Sequence, residues 1–225
     1  MRIGILGTGA LAEALGTGWD RAGHEVVIGG RSHAKARALA ERLGGVALAC
    51  ALREVVTGSD AVLLAVTWDG VESILCSVGA EDGTLSGVPL IDPTNAVEHG
   101  VGVLLTTVGS AAQRVAELAP GANVVKAFHL FPAEQWVLRP PDGSAGPSTV
   151  AMCGDDPTAL QIASQLVLDV GGVPAVLGPL ERARQLEEVA GFVIGLAFAG
   201  VDPNSAIPGV PAPTIATPSM DSSTT

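Results

Sequence analysis

Met1-Arg2-Ile3-Gly4-Ile5-Leu6-Gly7-Thr8-Gly9-Ala10-Leu11-Ala12 opens the chain: an apolar run meets a glycine-rich turn and then a helix-forming stretch. That order predicts the strand, turn and helix of a dinucleotide-binding βαβ unit. Gly7 suits the tight turn, Gly9 lets backbone N–H groups approach a pyrophosphate, and Ala12 allows the helix to lie close to the sheet. The candidate phosphate-binding residues are therefore Gly7, Thr8, Gly9, Ala10 and Leu11, at a helix start whose partial positive charge favours an anion. The next strand ends at Gly29-Gly30-Arg31-Ser32. An NAD site places an acid at about this distance, some 20 residues past the glycines, to hold the ribose hydroxyls. Here Arg31, Ser32, His33 and Lys35 stand there instead. A guanidinium and a hydroxyl bind a 2′-phosphate that a carboxylate would repel, so NADP(H) is favoured over NAD(H), through Arg31, Ser32 and Lys35. The alternative is that Arg31 and Lys35 form a solvated helix start, where they oppose the helix dipole unless an anion compensates.

The remaining chain agrees with one α/β domain. Its 225 residues are 48% hydrophobic and 16% charged, enough to bury a substantial core. A net charge of −11 argues against nucleic acid as a partner, since phosphate tracking needs a basic stripe. Cys50, Cys76 and Cys153 lack metal-ligand spacing and read as small buried hydrophobes in a reducing compartment. No charged leader precedes the first strand and no apolar run reaches bilayer length, so a cytoplasmic protein without membrane or metal is expected.

Strand-like and helical runs alternate as far as residue 127: helices over about Ala10–Ala22, His33–Leu43 and around Ala111–Leu118, strands over Ala61–Val66, Val88–Ile91 and Asn123–Ala127. This is the pattern of a Rossmann-type doubly wound parallel sheet. Residues Val137–Ser148 are too rich in breakers for an element and read as a substrate-covering loop. A small C-terminal α/β part follows: a strand at Thr149–Cys153, a helix capped by Asp156 and running to about Val170, a strand at Val173–Leu177, and a helix over about 179–199. The second half of that last helix is apolar or glycine on every face, which points to burial against a second subunit or within its own chain. Residues 1–200 thus form the nucleotide-binding domain, with a disordered proline-rich tail at 203–225.

At the strand ends, Asp92-Pro93-Thr94-Asn95 offers a hydroxyl and an amide, from Thr94 and Asn95, to a nicotinamide carboxamide or to an acceptor; the same residues also make an ordinary Asx turn. His129 lies just past a buried strand, where it could polarise a carbonyl, relay a proton or simply be a satisfied structural group. Lys126 reads either as an anion partner or as part of the strand end. Trp68, Phe128 and Phe131 are candidates for the dry walls that hydride transfer needs, or for core.

Five separated stretches resemble one family: Gly7-Thr8-Gly9-Ala10-Leu11-Ala12; Gly30-Arg31-Ser32; Ala65-Val66-Thr67-Trp68; Val125-Lys126-Ala127-Phe128-His129 with Pro132-Ala133; and Cys153-Gly154-Asp155-Asp156 with Gly178-Pro179-Leu180, Ala183-Arg184 and Leu186-Glu187. Together they are similar to the NADPH-dependent reductases of coenzyme F420, a deazaflavin. The resemblance implies direct hydride exchange between NADP(H) and F420, a C-terminal part that helps form a homodimer, and placement of Val66, Thr67 and Trp68 along the far side of the cofactor. It also puts His129 and Pro132 near the paired rings. The chain departs from the family at Thr67, where proline is usual, across Val137–Ser148, and in its tail. Two other readings keep the nucleotide site: reduction of a small imine, ketone or quinone, and a sensor that binds NADP without turnover.

Overall fold

The computed structural model describes residues 1–137 and 147–209. Its strands are β1 (Arg2–Leu6), β2 (Glu25–Gly29), β3 (Leu48–Ala49), β4 (Ala61–Leu64), β5 (Pro89–Asp92), β6 (Asn123–Lys126), β7 (Thr149–Gly154) and β8 (Val173–Gly178). They form one sheet in the order β3-β2-β1-β4-β5-β6-β7-β8. Six run parallel in the doubly wound order; β7 then pairs antiparallel to β6, and β8 parallel to β7. The reversal follows from connectivity: the chain leaves β6 and returns at the same end of the sheet, so no crossover is imposed.

The helices are α1 (Ala10–Arg21), α2 (His33–Leu43), α3 (Leu52–Val56), α4 (Val71–Val78), α5 (Ala111–Leu118), α6 (Glu134–Val137), α7 (Pro157–Asp169) and α8 (Ala183–Phe198). Helices cover both faces, so the central strands are apolar on both sides and successive residues feed opposite cores. Ile3, Ile5, Val26, Ile28, Ala61 and Leu63 pack with Leu15 and Trp19 of α1, Leu39 of α2 and Leu166 of α7. Leu6, Val27, Val62 and Leu64 pack on the other face with Val55, Ile74, Leu75, Val115 and Leu186. Gly4 sits where α3 crosses β1, and a Cβ there would meet the Val55 carbonyl at 2.6 Å.

Helices α2 and α5 begin and end where the pattern places them, and Asp156 caps α7, its side chain accepting from Ala159 N–H at 2.7 Å. Several expectations need correction. The strand expected over Ala61–Val66 stops at Leu64, which frees Ala65 to Thr67 to line a cleft. Elements β3, α3, α4 and α6 were not foreseen; β3, α3 and α6 are short, whereas α4 carries Val71, Ile74, Leu75 and Val78 at helical spacing and was legible. Val137 belongs to α6, and the core of the expected covering loop lies outside the described residues. In the supposed tail, Pro203–Ala206 forms a 3-10 turn capped by Asp202, while 210–225 lie outside the described residues. Of the cysteines only Cys153 is buried, and Cys76 is exposed.

Helix α8 is covered in part by its own chain: a Cβ on Gly191 would meet the Gly102 carbonyl at 2.2 Å, so the loop after β5 seats directly on the helix backbone. Its other side leaves Val189 and Phe192 exposed on the single chain, while Phe198, still half exposed, stacks edge-on against His99 of the loop after β5 at 5.0 Å.

Candidate functional site

A cleft of about 260 Å³ opens at the C-terminal ends of β1, β2 and β4, and is lined by Gly7, Thr8, Gly9, Gly30, Arg31, Ser32, Lys35, Ala65, Val66, Thr67, Gly70 and Ile74. Ligands of open α/β sheets bind at that edge. Gly7 (φ 137°) makes the turn, and a Cβ there would collide with the Ala65 carbonyl at 1.9 Å. Gly9 is the opposite case. It is the N-cap of α1, no side chain caps the helix, and a Cβ on it would meet nothing within 4 Å. The first turn of a 12-residue helix therefore presents backbone N–H groups to empty space, the cradle a pyrophosphate requires. Ala10 and Leu11 contribute through this backbone; their side chains lie off the cleft.

At the β2 end, Ser32 caps α2, its oxygen accepting from Lys35 N–H at 3.3 Å, which leaves the hydroxyl hydrogen free to donate. Arg31 and Lys35 line the cleft beside it. Among the described residues neither is drawn into a salt bridge, whereas Arg37 and Arg42 on the same helix pair with Glu41 and Glu13. Two unpaired cations, a hydroxyl and no carboxylate fit the 2′-phosphate of NADP(H).

The other end of the sheet edge is built differently. Asp92 closes β5, its Oδ1 accepting from Thr94 N–H (2.8 Å) and the Thr94 hydroxyl (2.6 Å). Its Oδ2 accepts from Lys126 Nζ of β6 at 3.0 Å. Lys126 also donates to the Thr94 carbonyl and pairs with Glu187 Oε1 of α8 at 2.8 Å. Glu187 in turn accepts from the N–H groups of Ala111 (2.8 Å) and Ala112 (3.1 Å), capping α5. Asp92, Lys126 and Glu187 are all fully buried. The ammonium has three acceptors for three hydrogens and every carboxylate oxygen has a donor, the condition under which buried charge is tolerated.

Thr94 is thus committed internally, an Asx turn in fact. Asn95 donates to the His129 carbonyl at 2.7 Å and ties the ends of β5 and β6 together. His129 is only 7% exposed and does not line the cleft. Burial, reinforced by the Lys126 charge and opposed by a hydrogen bond to the Leu186 backbone, pushes its pKa down to about 3. The ring is therefore held as a neutral imidazole near pH 7. Burial likewise pushes the Cys153 thiol up to about 11, which leaves it unreactive.

The aromatic walls also shift. Phe128, at φ 62°, is clamped edge-on between Trp19 (6.1 Å) and Trp136 (5.3 Å), and Phe131 stacks edge-on to Trp136. These rings are core. Trp68 lines a separate groove with Thr106, Val108 and Arg114 rather than the cleft. The buried Asp92–Lys126–Glu187 network was not foreseen as a unit. Asp92 and Lys126 each stand as a lone charge in an apolar run, a signal present in the sequence; Glu187, beside Glu188 and close to Arg184, carries none.

Among the described residues no group of three or more His, Cys, Asp or Glu side chains could hold a metal, and no helix is long and apolar enough to cross a membrane.

Comparison with known proteins agrees with this geometry. The sequence model of the family described as NADP oxidoreductase coenzyme F420-dependent matches residues 2–96, from β1 through the turn after β5. F420-dependent NADP reductase from Methanothermobacter marburgensis is 28% identical over 214 residues, covering 87% of this chain and 92% of the reductase. Metalloreductase STEAP3 from Rattus norvegicus is 32% identical over 190 residues; these are 84% of this chain, which spans only 36% of the length of that relative. A crystal structure of a candidate F420-dependent NADP reductase from Arthrobacter sp. FB24 superposes with a TM-score of 0.74 at 23% identity, covering 88% of this chain and 95% of that one, a likeness of fold. Residues 2–96 thus match the family of coenzyme F420-dependent NADP oxidoreductases, and the chain as a whole is similar to the Methanothermobacter reductase in sequence and shares its fold with the Arthrobacter structure.

Proposed function

We propose that the chain binds NADP(H) in the cleft at β1, β2 and β4 and exchanges a hydride between it and a deazaflavin, coenzyme F420. The observation that carries the nucleotide half is the unpaired Arg31 and Lys35 beside the Ser32 hydroxyl, one helix away from the open N-terminus of α1. The acceptor rests on the family match of residues 2–96 and on the similarity to the Methanothermobacter relative. With both partners bound, NADP(H) would supply or take a hydride at nicotinamide C4 against a ring carbon of the deazaflavin, whose ring nitrogen would gain a solvent proton on reduction and release it on oxidation. The chain needs no nucleophile for this; its work is to position two rings and exclude water. Gly7 to Leu11 hold the pyrophosphate through backbone N–H groups, Arg31, Ser32 and Lys35 hold the 2′-phosphate, and Val66 and Thr67 support the nucleotide across β4. Asn95 and His129 are assigned to the nicotinamide end, His129 as a neutral hydrogen-bonding group. Trp68 faces the groove beside this path and is assigned to the second substrate.

The chain is proposed to work as a homodimer through the exposed Val189, Phe192 and Phe198 of α8, in a reducing cytoplasm that keeps its three cysteines free. The decisive assay mixes the protein with NADPH and oxidised F420 and follows the deazaflavin's visible absorbance. Bleaching well above the buffer rate is the expected result. NADPH oxidation by an imine, ketone or quinone but not by F420 would replace the acceptor, and tight NADPH binding with no acceptor reduced would make the protein a sensor.

A further inference from the structure

The Asp92–Lys126–Glu187 network is larger than stability alone requires. Two acids and a base buried together gain little over a well-packed apolar trio, and desolvation offsets most of their attraction. What the network does set is geometry. Lys126 grips the Thr94 carbonyl and, through Asp92, the Thr94 N–H and hydroxyl, so the turn leading into Asn95 is fixed at three points. The α8 turn that contributes Glu187 also contributes the Leu186 carbonyl to the His129 ring. Asn95 and His129 are therefore each held by a member of the network or by its immediate neighbour, and they are bonded to each other. Both retain a buried acceptor without a partner among the described residues, Asn95 Oδ1 and His129 Nδ1. Unpaired buried acceptors are costly unless a ligand donates to them. A primary carboxamide, with two N–H bonds, is such a donor.

We propose that Asp92, Lys126 and Glu187 are positioning residues, which act through Asn95 and His129 to orient the carboxamide of the nicotinamide and so couple the C-terminal helix α8 to the reacting end of the site. The proposal rests on the nucleotide assignment above and deepens it. Removing a member loosens the nicotinamide end and leaves the adenosine end intact, because Arg31, Ser32 and the α1 turn line a cleft to which no member of the network contributes.

The test compares Lys126→Met and Glu187→Gln with the parent protein, titrating NADPH and, separately, 2′-phospho-ADP-ribose, which lacks only the nicotinamide. Affinity for the truncated ligand should stay within about twofold, while the additional affinity conferred by the nicotinamide, and the rate of hydride transfer, fall by about tenfold or more. A purely structural role would lower the melting temperature without separating the two ligands. Equal losses for both ligands, or no loss for either in a folded variant, overturn the proposal. Glu187→Gln preserves shape and one hydrogen-bonding oxygen, so it decides the matter if Lys126→Met fails to fold. If the parent protein itself binds neither ligand, the nucleotide assignment falls instead. The binding arms do not depend on which acceptor is reduced.

Discussion

The two ends of the sheet edge solve opposite problems. At the β1–β2 end the candidate groups line an open cleft, with no side-chain cap on α1, one hydroxyl and two cations that form no salt bridge among the described residues. At the β5–β6 end they are buried and saturated, every charge of Asp92, Lys126 and Glu187 matched inside the protein. The first end is incomplete without an anion and the second needs none. Affinity should accordingly reside at one end and geometric precision at the other, so substitutions at the two ends should fail in different ways.

The largest separation is expected in stability. Lys126→Met leaves two buried carboxylates facing each other and should cost about 3–5 kcal/mol in denaturant unfolding, whereas Arg31→Ala should stay within about 0.5 kcal/mol of the parent. Similar values for both would erase the distinction. Next come the two glycines of one turn. Gly7→Ala forces a methyl into the Ala65 carbonyl at a φ of 137° and should cost about 2–3 kcal/mol of stability. Gly9→Ala meets open space, so its fold should hold, with NADPH affinity falling as the methyl occupies the pyrophosphate's approach. Isothermal titration beside thermal melts would read both.

Acid sharpens the same contrast. A histidine whose folded pKa lies near 3, below its ordinary 6.5, binds protons more readily when unfolded. Its burial as neutral imidazole is compatible with full stability above about pH 6.5, and stability is then lost progressively as pH falls toward 3. His129→Gln should flatten the unfolding free energy across that window. An unchanged slope would mean the ring is not buried neutral. The smallest effect is ionic: salt should weaken NADPH binding through the exposed Arg31 and Lys35 by a few-fold while leaving the buried network's contribution unaltered.

How much of this was legible in the sequence follows the same division. The β1–β2 end is local: Gly7 and Gly9 lie within one βαβ unit, Arg31, Ser32 and Lys35 follow directly after it, and glycine turns and helix caps are decided by neighbours along the chain. The parallel order and helices α2, α5 and α7 were readable for the same reason. The β5–β6 end joins residues separated by 34 positions, Asp92 to Lys126, with Glu187 coming from α8 to meet the start of α5 more than 70 positions earlier. Nothing in a strand's periodicity says which distant carboxylate will meet its lysine. His129 was located correctly at a strand end, but its burial under Leu186, and hence its neutrality, depends on how α8 packs. Phe128 and Trp68 show the same limit, since an aromatic at a strand end turns toward core or cleft according to tertiary neighbours.

The central claim is that unpaired positive charge at the end of β2 selects the 2′-phosphate. Its most direct test is the affinity of Arg31→Asp for NADPH and NADH side by side. A loss of about a hundredfold for NADPH with NADH unchanged or improved is the predicted outcome. Equal weakening of both cofactors, or of neither, would contradict it.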